Sequence, residues 1–381
     1  MPGTPDDLYG GTTDADLIIL RDSAADPSNL GEIRRNGNSI KVKDGQGVFD
    51  LRSGSGIYQL TGDVIAGPGS ASQPSIVQGM GGSISKLHYV IVGGKYSTLQ
   101  SAIDAASPND VILVGPKGSV TSPQDWGDIS IPAGKRLSIV GLGGAAATSV
   151  NIGKVTFAPT TGANILENEV FLHKLFINAD FSGSQGVNFA GTAPARLRIQ
   201  DCYVYNKGST GNGVVSNNSG SGSSLYLDNC TIQSSVNVGI AVSHVQGYTI
   251  LKNGCSVYRY QYQLQCAAGN VEILQSQLEG VLANEVVRVS GGFVSCGYST
   301  IKNTTTDASG VSLTQAGAAF GMGDATFAIA TGTGYCVTGV AGTYYMYGRV
   351  TYSHSSLSAY NVKVKNTVTS AAVTQTFTSS A

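Results

Sequence analysis

Five carboxylates in the middle of the chain, Asp201, Asp228, Glu272, Glu279 and Glu285, are of a type that could cleave a glycosidic bond. In such chemistry one carboxyl is the general acid and a second is the base or nucleophile. Their positions speak instead for turns and surface. Asp201 and Asp228 fall in short polar interruptions between apolar segments, Gln200-Asp201 and Asp228-Asn229, where Asx turns account for them. Glu272 takes an outward strand position, and Glu279 follows a strand. Arg198, Lys252 and Arg259 are scattered along the chain, so no Asp/Lys/Arg cluster is expected. His88, His173, His244 and His354 stand in four unrelated contexts without HxH or HExxH spacing, and His173 is expected to be solvated. No catalytic residue is therefore assigned.

Six cysteines, Cys202, Cys230, Cys255, Cys266, Cys296 and Cys336, include no CxxC pair and no histidine at metal-ligand spacing. Buried free thiols are expected, with neither a metal nor a cofactor. Tyrosines offer a different chemistry. The segment SVYRYQYQLQ at 256–265 alternates Tyr258, Tyr260 and Tyr262 with Arg259 and Gln261. As one strand it places three rings on one face. Such a row can anchor a protein contact, the plainer reading, or stack on sugar faces. The segment TYYMYGR at 343–349, with Tyr344, Tyr345 and Tyr347, carries the same two readings.

The elements that must position these residues are strands. Gly accounts for 51 of 381 residues, and charged residues for only 12%, against a usual share of about 25%. Val, Ile, Thr and 18 Tyr run through the whole chain, which argues for many short strands joined by tight turns rather than for disorder. A net charge of -1 and the absence of Lys/Arg blocks give no reason to expect nucleic acid as a partner. No apolar run approaches the ~20 residues needed to cross a bilayer, so membrane insertion is not expected. The polar, acidic start of the chain lacks the character of a secretory signal, which suggests synthesis and folding in a cytoplasm.

Residues 165–303 repeat. An apolar-x-apolar-x-x-(Cys/small)-x-apolar frame fits VFLHKLFI at 170–177, LRIQDCYV at 197–204, LYLDNCTI at 225–232, VEILQSQL at 271–278 and VSCGYSTI at 294–301. A longer version, YTILKNGCSV, falls at 248–257, and successive starts lie 27, 28, 23, 23 and 23 residues apart. Coils of that length suit a parallel β-helix, in which each coil buries its apolar face on the next. Cys202, Cys230 and Cys255 take one position in three consecutive coils, as an inward stack of small apolar groups would.

Ahead of the repeat lie a polar arm with one apolar stretch, Leu17, Ile18, Ile19 and Leu20, and a predicted β-meander with strands at 32–35, 39–43 and 48–51. Asn-Gly at 36–37 and Asp-Gly at 44–45 are its hairpin signals. Too small to bury a core alone, it is expected to lean on a docking surface through Ile33, Arg34, Arg35, Val48, Phe49 and the 17–20 stretch. The following segment, LTGDVIAGPGSASQPSIV at 60–77, resembles one common in phage tail-fibre and tail-spike proteins. The GEIR…IKVKDG…GVFDL stretch before it is similar to modules found there too. KYSTLQSAIDAASP, with Ser97 as N-cap, followed by ISIPAGKRLSIVGLGG resembles the entry of pectate-lyase-like β-helices, where a short helix caps the open end.

The resemblance implies an elongated homotrimer on a phage virion, attached to other virion proteins through its N-terminal region and facing host-surface polysaccharide. The expected organisation is an all-β chain: an attachment module at 1–82, a right-handed parallel β-helix at 83–304, and a small antiparallel β domain or trimer tip at 305–381. Three functions fit it. The leading one is a tail spike or fibre that recognises the host without catalysis. The others are a capsid decoration or cement protein and a polysaccharide depolymerase spike.

Overall fold

The β-branched and apolar residues that alternate through the repeat stack as parallel ladders, and these ladders are the fold. The computed structural model describes strands between residues 33 and 59 and most of 87–377; residues 1–32, 37–38, 45–46, 55–56, 60–86, 120–121, 143–149, 283, 306–307, 316, 330–335, 340–342, 347–349, 354–359, 367–370 and 378–381 lie outside the described residues. The chain divides into two units, 1–62 and 63–381.

In the first unit Ile33–Asn36, Ser39–Asp44, Gly47–Gly54 and Ile57–Gln59 form an antiparallel sheet in sequential order. The hairpins close on Asn36↔Ser39 and Asp44↔Gly47, one residue beyond the expected strand ends. Ile33, Arg34 and Arg35 lie in the first strand, and Val48 and Phe49 in the third. Leu17, Ile18, Ile19 and Leu20 fall outside the described residues.

The second unit is a parallel β-solenoid of about nine turns with three sheets, its second sheet having nine strands among the described residues. One coil illustrates it: Arg196–Gln200 in the first sheet, Tyr203–Asn206 in the second, Asn212–Asn218 in the third. The six segments aligned from sequence occupy successive rungs of the first and second sheets. Leu172, Ile199, Leu227, Leu251, Ile273 and Cys296 follow one another in register, all fully buried. Each such side chain contributes about 1.5–3 kcal/mol by leaving water. Leu225 pairs with Thr249, so the fourth segment sits one residue later than the sequence frame put it, and Asn253-Gly254 takes up the difference as a longer corner.

The corner between the first and second sheets explains the polar interruptions. Lys174, Asp201, Asn229, Asn253, Gln275, Tyr298 and Asp324 all have left-handed backbone, with φ between 48 and 57°. Asn and Asp tolerate that conformation best, which is why they recur there. Just past it, Leu175, Cys202, Cys230, Cys255, Ser276, Ser299 and Ala325 stack inward by register. The Cys230 and Cys255 thiols donate to Ile199 O and Leu227 O at 3.2 Å, and the Ser299 hydroxyl donates to Ile273 O at 3.4 Å. Thiol and hydroxyl thus do the same work. Cys230→Ser is expected to cost only about 1 kcal/mol, measured as a small fall in the denaturant midpoint. At the corner leading back to the first sheet, Gly247, Gly269 and Gly292 recur at φ +85, +73 and +71°. A Cβ on Gly292 would stand 2.2 Å from Gly269 O, so only glycine fits.

The helix Leu99–Ala105 is N-capped by Thr98 rather than Ser97. Thr98 and Ser101 form a capping box, and Leu99, Ala102 and Ile103 join the core of the first coils. At the other end the parallel ladders carry on past residue 304 through Val311–Leu313, Ala318–Gly323, Ala325–Ile329 and Val350–Ser353. Antiparallel pairing, expected for all of 305–381, is found there among the described residues only between Tyr360–Asn366 and Ala371–Phe377. The coil frame fades in sequence because its inward positions change from Leu and Ile to Ala, Phe and Met, not because the winding ends.

Candidate functional site

Side chains that point out of the solenoid meet from coil to coil at rungs about 4.8 Å apart, so residues 23 to 28 apart in sequence become neighbours. On the first sheet the outward column Arg136, Glu169, Arg196 alternates in sign by register. Glu169 is only 6% exposed. It draws Arg196 to 3.2 Å, Arg136 to 3.5 Å and Arg198 to 3.6 Å. Burying a carboxylate this deeply requires such company. The next column reads Phe171, Arg198, Tyr226, and both Arg196 and Arg198 lie over the Tyr226 ring at 5.9 and 5.6 Å. Phe171, Arg198, Tyr226, Asp228 and Lys252 line a cleft of about 170 Å³. The expectation that Arg198 and Lys252 are scattered is therefore corrected, since coil stacking brings them to one place.

At the corner beside this cleft the His173 ring packs on Phe171, and its Nε2 lies 2.9 Å from Asp201 Oδ2. His173 is thus half-buried and paired, not solvated as expected. Asn229 donates to the other Asp201 oxygen at 2.6 Å. Burial works against ionisation of Asp201, but the bonds from Asn229 and His173 outweigh it and hold the carboxyl below its usual range. Asp228 accepts from Asn253 at 2.9 Å and pairs with Lys252 at 3.2 Å. The remaining carboxylates are dispersed. Glu272 accepts from the Tyr248 hydroxyl, Glu279 pairs with Lys302 at 2.8 Å on the second sheet, and Glu285 pairs with Arg288 at 2.6 Å. Asp201→Asn is expected to fold normally and lose about 1 kcal/mol, because Asn suits left-handed backbone but loses one acceptor. Circular dichroism with a denaturant titration checks this.

The second sheet carries an aromatic face. Phe176 meets Tyr203 edge-on at 4.9 Å, and Tyr205 lies 6.0 Å from Tyr203. In register, Tyr205, Gln233 and Tyr258 follow one another, and Gln233 accepts from the hydroxyls of Tyr203 and Tyr258. All four residues are half-buried. Burial, with the neighbouring Tyr258 adding to it, pushes the Tyr203 phenol up.

The predicted stripe of Tyr258, Tyr260 and Tyr262 does not form. Arg259 has φ 59°, so the chain turns a corner there, and the three residues end up in three environments. Tyr258 ends a strand of the second sheet, Tyr260 is fully buried, and Tyr262 opens a strand of the third with Arg288 4.1 Å above its ring. Alternation places residues on one face only within a single strand. Tyr344 and Tyr345 lie in Thr343–Met346, paired with Phe320 and Gly321, while Tyr347 falls outside the described residues.

All six cysteines are free, five of them buried. Burial pushes the Cys202, Cys266, Cys296 and Cys336 thiols up to about 12. Among the described residues no group of three or more His, Cys, Asp or Glu could hold a metal ion, and no helix is long and apolar enough to cross a membrane. The chain matches no known protein family, no curated protein and no solved structure.

Proposed function

We propose that this chain is a structural protein of a phage particle surface, a trimeric tail spike or fibre that recognises host polysaccharide without cleaving it. The observation that carries the reading is the aromatic face of Phe176, Tyr203, Tyr205 and Tyr258 around Gln233. Half-buried rings suit the apolar faces of sugars, and Gln233, buried among them, holds two of the rings through their hydroxyls. The solenoid is the rigid support such a face needs. The likeness of residues 30–80 to tail-fibre and tail-spike segments supplies the virion context, and the helix at 99–105 serves as the cap of a right-handed winding.

Tyr205→Ala and Tyr258→Ala, each removing one ring, are expected to weaken glycan binding roughly tenfold while leaving the fold intact. Unchanged binding would overturn the assignment of this face. The purified chain is expected to sediment as a trimer at micromolar concentration, and a monomer would overturn that part. A depolymerase reading draws on one observation, the cleft that Asp228 shares with Arg198, Lys252 and Tyr226. Release of reducing ends from a bound polysaccharide, abolished by Asp228→Asn, would establish it in place of the non-catalytic reading.

A further inference from the structure

We infer that the outer face of the first sheet, between Phe171 and Tyr226, holds the carboxylate of an acidic saccharide. The inference rests on the reading that the outer faces bind saccharide, and adds which sugar chemistry this face selects. Three cations, Arg196, Arg198 and Lys252, converge on two carboxylates, Glu169 and Asp228, leaving one positive charge in excess. The other carboxylates at the margin are already engaged, Asp201 by His173 and Asn229 and Glu272 by Tyr248.

Glu169 cannot satisfy the guanidiniums around it. The Nε atoms of Arg196 and Arg198 are buried and have no hydrogen-bond partner among the described residues. Arg198 makes no hydrogen bond of its own there, and its nearest Glu169 oxygen lies at 3.6 Å. Its side chain is nevertheless 38% exposed and lines the cleft. A partly exposed guanidinium that packs on an aromatic ring and makes no hydrogen bond of its own among the described residues is set to receive a carboxylate in two-pronged fashion. Phe171 and Tyr226 flank Arg198 on adjacent rungs and line the same cleft. Charge, unmet donors and flanking rings point to one ligand class, a uronate-bearing glycan.

The test titrates the full chain with hexasaccharides of polygalacturonate, alginate and hyaluronan, and with the same oligomers after reduction of their carboxyls to alcohols. At least one acidic oligomer is expected to saturate the chain, and its reduced form to bind roughly tenfold or more weakly. Affinity should fall as salt is raised. Arg198→Gln is expected to abolish the preference for the acidic form; the variant should fold, because Arg198 is partly exposed and anchors no hydrogen bond. Arg196→Gln is a second variant with the same expected direction. Equal binding of acidic and reduced oligomers, a preference that survives both variants, or failure of every acidic oligomer would overturn the inference. Neutral glycans still lost on Tyr258→Ala in that case would leave the recognition reading standing, whereas failure of all saccharides would remove both.

Discussion

Replacing Leu227 with Ala is expected to destabilise the solenoid by about 3–4 kcal/mol, while Tyr226→Ala, one residue away, costs about 1 kcal/mol or less. Leu227 is fully buried in an inward column, between Ile199 and Leu251. Truncating it removes apolar contact with both neighbours and leaves a cavity that rigid ladders close poorly. Tyr226 is half-buried and faces outward under two guanidiniums, so its loss disturbs the surface more than the core. Because coils touch mainly their neighbours, the damage from Leu227→Ala should also be local. Hydrogen exchange is expected to accelerate in the coils on either side of residue 227 before the ends respond. Equal costs for the two variants, by urea midpoint, would contradict the inward and outward assignment of this strand.

The second large effect is on pH dependence. His244 lies inside the solenoid with no exposed surface, its Nδ1 2.9 Å from the Thr249 hydroxyl. Its Nε2 has no hydrogen-bond partner among the described residues, and Gly269 sits so close that a Cβ there would stand 2.8 Å from that nitrogen. Burial pushes its pKa down to about 4, against a modest upward pull from Gly247. In the unfolded chain the ring takes its proton near pH 6.5. Between these values the unfolded state binds more protons than the folded one, so stability rises with pH. The contribution is complete above about pH 6.5 and is lost as pH falls toward about 4, amounting to about 3 kcal/mol. The urea midpoint of the native chain should drop across that window, and His244→Gln should flatten the drop. Asp201, whose carboxyl is held below its ordinary range, loses its contribution only at lower pH. A pH profile identical in the variant would show that another group sets it.

Much of the fold could be read in the residues because a solenoid repeats its physical problem. Each coil presents an apolar residue inward at the same offset and turns a left-handed corner, at Asp201, Asn229 and Asn253 with the residue types that favour it, and the apolar mark recurs from Val170 to Ile301. The marks weaken where other residues solve the same problem. Phe320, Met322 and Phe327 fill the core beyond residue 304 as Leu and Ile do before it, so the ladders outlast the sequence pattern.

The candidate sites were less legible, for two reasons. Glu169, Arg196 and Arg198 sit one residue to either side of the inward positions Val170 and Leu197, so stacking the outward positions of aligned coils would have found them. The same operation places Phe176 beside Tyr203, and Gln233 between Tyr205 and Tyr258. What no alternation pattern could give was the corner at Arg259, an arginine in a conformation that favours Gly or Asn. That corner separates Tyr258 from Tyr260 and Tyr262.

The proposed role is saccharide binding on the outer faces of a rigid solenoid that leaves the glycan intact. The most direct test presents the full chain to an array of bacterial surface glycans and measures both what is retained and the chain length of the retained glycan after prolonged incubation. Saturable binding is expected, weakened by Tyr258→Ala on the aromatic face, with no shortening of the glycan. Failure to bind any glycan, or shortening of the one retained, would contradict it.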